Sequence, residues 1–115
     1  MRYNTRIFTV TADGTGAGSV VIDSSNFGGQ SFADARRNAQ VTIEGLVPAT
    51  ARWAVEMRAP HGSAWVLHQD NATSADLILL AGPNAPLFES LRVSVSSVTA
   101  GAVLQVILTA WEREF

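Results

Sequence analysis

His61 and His68, with Asp70 and Asp76 downstream, are the residues best suited by type to hold a metal ion or move a proton. A metal site needs three or four such ligands converging, and neither an HxH nor an HExxH spacing supplies a preformed pair. Both therefore read as surface histidines beside a turn. Serine nucleophiles are no better served: there is no GxSxG elbow, and no acid, base and nucleophile stand at adjacent positions. Glu44 and Glu56 would form a carboxylate pair only on neighbouring strands, and both fall on the polar face of their segments, where a carboxylate is ordinarily solvated. Gly14, Gly16 and Gly18 have the spacing of a phosphate cradle, but a dinucleotide fingerprint opens a helix. Here Ser19-Val20-Val21-Ile22 follows, which is strand-like, so the glycines read as a turn. No catalytic, cofactor or metal set is expected, and the chain reads as a protein that is not an enzyme.

Three tryptophans offer binding chemistry instead. Trp53 is in phase with Val55 and Met57, and Trp65 with Leu67, which predicts core packing for both. Trp65 with His68, Gln69, Asp70 and Asn71 is also the group that best combines a ring face with hydrogen-bonding side chains, as a carbohydrate-binding β-sandwich module would require. Trp111 opens the stretch Trp111-Glu112-Arg113-Glu114-Phe115, where aromatic residues flanked by charge resemble an interface arm. Arg36 and Arg37 are the sole adjacent basic pair and lie, with Phe32, in the longest break between strand-like runs. Phe32, Arg36, Arg37, Trp111, Arg113 and Phe115 are accordingly the residues expected to make subunit contacts.

The elements that must position these groups have period two, the period of strands. Eight segments qualify: 6–12, 19–23, 40–46, 51–58, 64–68, 76–80, 91–96 and 103–111. Trp53, Val55 and Met57 alternate with Arg52, Ala54, Glu56 and Arg58, the clearest two-faced pattern in the chain. The first two segments, joined through Asp13–Gly18, read as a hairpin, residues 24–39 as a long loop, and 111–115 as a short tail. With almost no helical periodicity, the expected fold is all-β: one antiparallel β-sandwich over residues 1–115 with jelly-roll or Greek-key connections. Its edges carry few charges on Val20–Ile22, Leu77–Leu80 and Val103–Leu108, so a homo-oligomer or lattice is expected to cover them, loops of the same chain being the alternative cover.

Composition bounds the function. The 115 residues are 47% hydrophobic and 16% charged, with ten acidic residues against eight basic ones. One core of ordinary size is expected, and disorder is not. A net charge of -2 gives no electrostatic footprint for nucleic acid or an anionic membrane. Cysteine is absent, so disulfides and thiolate chemistry are excluded, and every basic residue is arginine. The opening residues lack the apolar core of a signal peptide, and no run approaches the ~18 apolar residues of a membrane helix.

The stretches Phe8-Thr9-Val10-Thr11-Ala12-Asp13-Gly14, Leu79-Leu80-Ala81-Gly82 leading to Leu87-Phe88-Glu89-Ser90, and 91–108 with their alternating Val, Ser and Leu resemble small β-sandwich structural proteins of tailed bacteriophages. The resemblance lies in compositional rhythm over most of the chain. It implies a virion component made in many copies: a capsid decoration or cement protein, or a head-to-tail or tail subunit. The implied partners are copies of itself and a shell or tail protein, assembled in the host cytoplasm. A carbohydrate-binding module is the alternative, and a small β-fold hydrolase or lyase using His61 and His68 a second alternative.

Overall fold

Alternating apolar and polar side chains build eight strands: β1 (Tyr3–Thr11), β2 (Gly18–Asp23), β3 (Arg37–Glu44), β4 (Arg52–Arg58), β5 (Val66–Ala72), β6 (Ile78–Leu80), β7 (Ser90–Ser96) and β8 (Val103–Glu112). The computed structural model describes residues 3–23, 37–59, 62–80 and 89–112, and for Tyr3, Asn4, Arg37 and Glu112 the backbone alone. The strands form two four-stranded antiparallel sheets, ordered β1-β8-β3-β6 and β2-β7-β4-β5. The expected all-β sandwich is thus observed.

The inner faces meet in one cluster. Val10, Val41, Ile43, Leu104, Val106 and Leu108 face inward from the first sheet, opposite Ile22, Trp53, Val55, Leu91, Val93 and Val95 from the second. Trp53 is the largest of the fully buried side chains, at 1% exposure. Its indole Nε1 donates to the Thr73 carbonyl at 2.7 Å, so the one polar atom of the ring is satisfied.

Of the successive connections, β4 to β5 alone joins strands of one sheet, through a turn in which Gly62 N donates to the Ala59 carbonyl at 2.9 Å. The expected hairpin of β1 and β2 does not form. β1 pairs with β8 and β2 with β7, so the Asp13–Gly18 segment crosses between sheets. Its sharp turn is real: Asp13 Oδ1 accepts from the Thr15 amide at 2.8 Å, the Thr15 hydroxyl at 2.6 Å and the Ala17 amide at 3.2 Å. Gly16, at φ +79°, is required twice over, because a Cβ there would sit 2.3 Å from the Val98 carbonyl oxygen. Tight-turn residues declare a reversal of the chain, and which sheet receives it depends on partners far along the sequence.

Other expectations shift as well. Residues Val103–Leu108 lie in β8, which is hydrogen-bonded on both sides by β1 and β3 and is therefore no edge. Val20–Ile22 and Ile78–Leu80 do belong to edge strands, β2 and β6. The long loop is shorter at its end than expected, since Arg37, Asn38 and Ala39 open β3 opposite Glu112, Trp111 and Ala110. β5 also continues through Asp70 and Asn71, read from sequence as loop.

Candidate functional site

The two outer faces differ in chemistry. On the second sheet, cross-strand neighbours pair charges: Glu56 opposite Arg92, and Arg58 opposite Ser90, which is itself opposite Asp23. Arg92 Nε and Nη2 donate to the two Glu56 carboxylate oxygens at 3.1 and 2.7 Å. Arg58 Nη2 donates to the Ser90 hydroxyl at 2.9 Å, and that hydroxyl donates to Asp23 Oδ1. These charges tie three strands together and are half-buried or nearly so.

Trp65 lies over this row. The guanidinium carbons of Arg92 and Arg58 stand 4.7 and 5.3 Å from its ring centroid, within cation–π range. Trp65 is therefore on the outside of the sheet, opposite in face to Trp53, and the core position predicted from its phase with Leu67 is corrected. Leu67 is 55% exposed. Trp65 and Leu67 do share a face, but Leu67 pairs with Glu56, whose side chain is on the outer surface bound to Arg92, so the apolar phase of this edge strand points away from the core.

At the opposite end of this face is an open groove of about 620 Å³, lined by Arg52, Asp70, Asn71, Ser94, Ser96 and Ser97 among others. Asn71 and Ser97 are the described non-glycine residues with left-handed backbone, at φ 54° and 57°. The candidate glycan group is thus divided by the fold. Asp70 and Asn71 line the groove, whereas Trp65 belongs to the arginine row, and His68 and Gln69 lie between them along β5.

The outer face of the first sheet is almost free of charge. Register places Thr5, Thr109 and Gln40 in one row, Ile7, Ile107 and Thr42 in the next, then Thr9, Gln105 and Glu44. Glu44 at the end of the face is the charged side chain among the described residues in this phase. Ile7 is 59% exposed and Val103 61%, and Leu79 of β6 extends the face beside Gln40. Thr5 and Thr109 share a hydroxyl hydrogen bond of 3.1 Å across the strands.

Of the expected contact residues, Trp111 is not in a tail beyond the last strand. It lies in β8 between Tyr3 and Asn38 and is partly exposed, because both flanking strands extend far enough to pair with it. Arg37 begins β3. Phe32, Arg36, Arg113 and Phe115 lie outside the described residues, as does His61. Glu44 and Glu56 are on outer faces of different sheets, and Glu56 is bound to Arg92, so no carboxylate pair forms. Among the described residues no three His, Asp or Glu side chains gather as metal ligands.

The fold defines a small two-sheet all-β module. No family model and no curated protein matches the sequence. Solved structures that share its fold include two small β proteins. The Yersinia pseudotuberculosis-derived mitogen superimposes with a TM-score of 0.59 at 12% identity, over 92% of this chain and 85% of that one. Chitosan-binding module 1 from a chitosanase/glucanase of Paenibacillus sp. IK-5 gives 0.56 at 8% identity, over 92% and 94%. At such identities the likeness is one of fold. The resemblance to tailed-phage proteins gains no specific support from it.

Proposed function

We propose that this protein is a non-enzymatic virion structural subunit, a capsid decoration or cement protein or a head-to-tail or tail component, that packs against copies of itself through the outer face of β1-β8-β3-β6. The observation that carries the reading is the chemistry of that face. A β surface left permanently in water ordinarily mixes both signs of charge, whereas this one presents threonines, glutamines and exposed Ile7, Leu79 and Val103. Nine paired residues at ~3.4 Å each, across strands ~4.8 Å apart, make a surface roughly 30 Å long and 15–20 Å wide. Once pleated and clothed in side chains, that approaches the ~800 Å² each partner gives to a stable interface. The strand order, with early and late strands interleaved in both sheets, supports a jelly-roll wrapping.

Absolute mass by light scattering over a wide concentration range tests the assembly. A discrete oligomer that dissociates on placing a charge at Ile7 is expected, and a monomer at every concentration would remove self-assembly. Mass spectrometry of purified particles, with the protein found at many copies, tests the virion role.

A second reading, a carbohydrate-binding module, is favoured by the open polar groove on the second sheet and by the shared chain trace with the chitosan-binding module. Its test is titration with defined oligosaccharides.

A further inference from the structure

We infer that the groove formed by Arg52, Asp70, Asn71, Ser94, Ser96 and Ser97 is a binding site for an uncharged saccharide, with Trp65 playing no part in it. The inference rests on the second reading above. The groove, at about 620 Å³, falls in the size range of small-molecule sites.

Its backbone is shaped at local cost. Asn71 and Ser97, the described non-glycine residues at positive φ, face each other across it from β5 and the end of β7. Left-handed backbone at a non-glycine residue is unfavourable and concentrates where geometry serves binding. The register slip of β4 against β5 falls between Trp53 and Glu56, beside the same groove, and such slips re-aim side chains near sites.

The polar groups in it are also uncommitted. The Asp70 carboxylate, the Asn71 amide and the hydroxyls of Ser94, Ser96 and Ser97 make no side-chain hydrogen bond among the described residues. Arg52 Nη1 is held by the Ala49 and Ala51 carbonyls, each at 2.9 Å, which fixes the guanidinium and leaves Nε and Nη2 for another partner. A sugar hydroxyl donates and accepts, so it matches a lining that alternates the two. One carboxylate and one guanidinium cancel, which disfavours an anion such as a phosphate and equally a lone cation. Trp65, by contrast, is already stacked by Arg58 and Arg92, which stand two to six residues along the strands from Ser94, Ser96 and Arg52, roughly 7–20 Å away.

The test is amide chemical-shift titration of the isotope-labelled full chain with tetrasaccharides of glucose and of N-acetylglucosamine. Saturable shifts at Asn71, Ser94, Ser96 and Ser97 with one of them are expected, with affinity at least tenfold weaker in Asp70→Ala and in Ser94→Val. Shifts centred on Trp65, abolished by Trp65→Ala and unchanged by the two groove substitutions, would overturn the groove while keeping the saccharide reading. No shift with either sugar would overturn both.

Discussion

Glu56 and Arg92 stand directly opposite each other on β4 and β7, joined through two hydrogen bonds, and the same guanidinium stacks on Trp65. One arginine thus fixes a carboxylate on the neighbouring strand and a ring from the segment leading into β5. Glu56→Gln should lower unfolding stability by about 1 kcal/mol, a value set by partial exposure of the pair, and Arg92→Met should make the two changes non-additive. Urea denaturation of the four members of the cycle measures the coupling; strict additivity would show that the pair contributes nothing of its own.

Trp53 and Trp65 should part company on truncation. Trp53→Ala empties the centre of the sandwich and orphans the Thr73 carbonyl, costing about 3–5 kcal/mol. Trp65→Ala removes surface stacking worth about 1 kcal/mol and leaves the fold intact. Equal losses for the two in thermal unfolding would return Trp65 to the core.

Gly16 and Gly101 both have positive φ, but only Gly16 is pressed against other backbone. Gly101→Ala should cost about 1–2 kcal/mol, the strain of the conformation alone. Gly16→Ala adds a collision with Val98 and should cost more, with the crossing between sheets displaced. Chemical denaturation ranks the two variants, and the reverse order would contradict the close approach.

The Asp13 turn should respond to acid. The Thr15 hydroxyl, followed by the Ala17, Thr15 and Gly16 amides, holds the Asp13 carboxyl below its ordinary value of 3.8. A lowered folded value means the ionised form stabilises the turn: its contribution is complete above pH 3.8 and is lost as pH falls through the folded value. Hydrogen exchange at the Thr15 and Ala17 amides should accelerate over that acid range relative to neighbouring amides, and Asp13→Asn should abolish the step.

Ile7→Glu places a charge in the middle of the uncharged face, where the side chain is already in water, so folding should be unaffected. If that face joins copies, the variant should remain smaller than the parent in light scattering at equal concentration. Arg52→Ala on the other sheet serves as the control and should leave the mass unchanged.

Much of this architecture is legible in order of sequence. The phase of Trp53, Val55 and Met57, of Leu91, Val93 and Val95, and of Phe8 and Val10 reports which side of each strand is buried, because successive side chains of a strand point to opposite faces. All eight strands follow from that rule and from the turn residues between them. The same rule puts Trp65 and Leu67 on one face but cannot tell that this face is the outer one, and it cannot see that Asp70 and Asn71 continue β5 through a register slip.

By itself the sequence determined the local alternation, hence the strands, their inner faces and the absence of cysteine chemistry. Tertiary structure alone decided who pairs with whom: that β1 joins β8 and not β2, that Glu44 and Glu56 occupy different sheets, and that Ser94 and Ser96 meet Asp70 and Asn71 around one groove. The physical reason is that periodicity is a property of neighbouring residues, whereas strand pairing is chosen by total burial and hydrogen bonding over the whole chain. Both outer faces, the charged and the uncharged, come into being only with that choice.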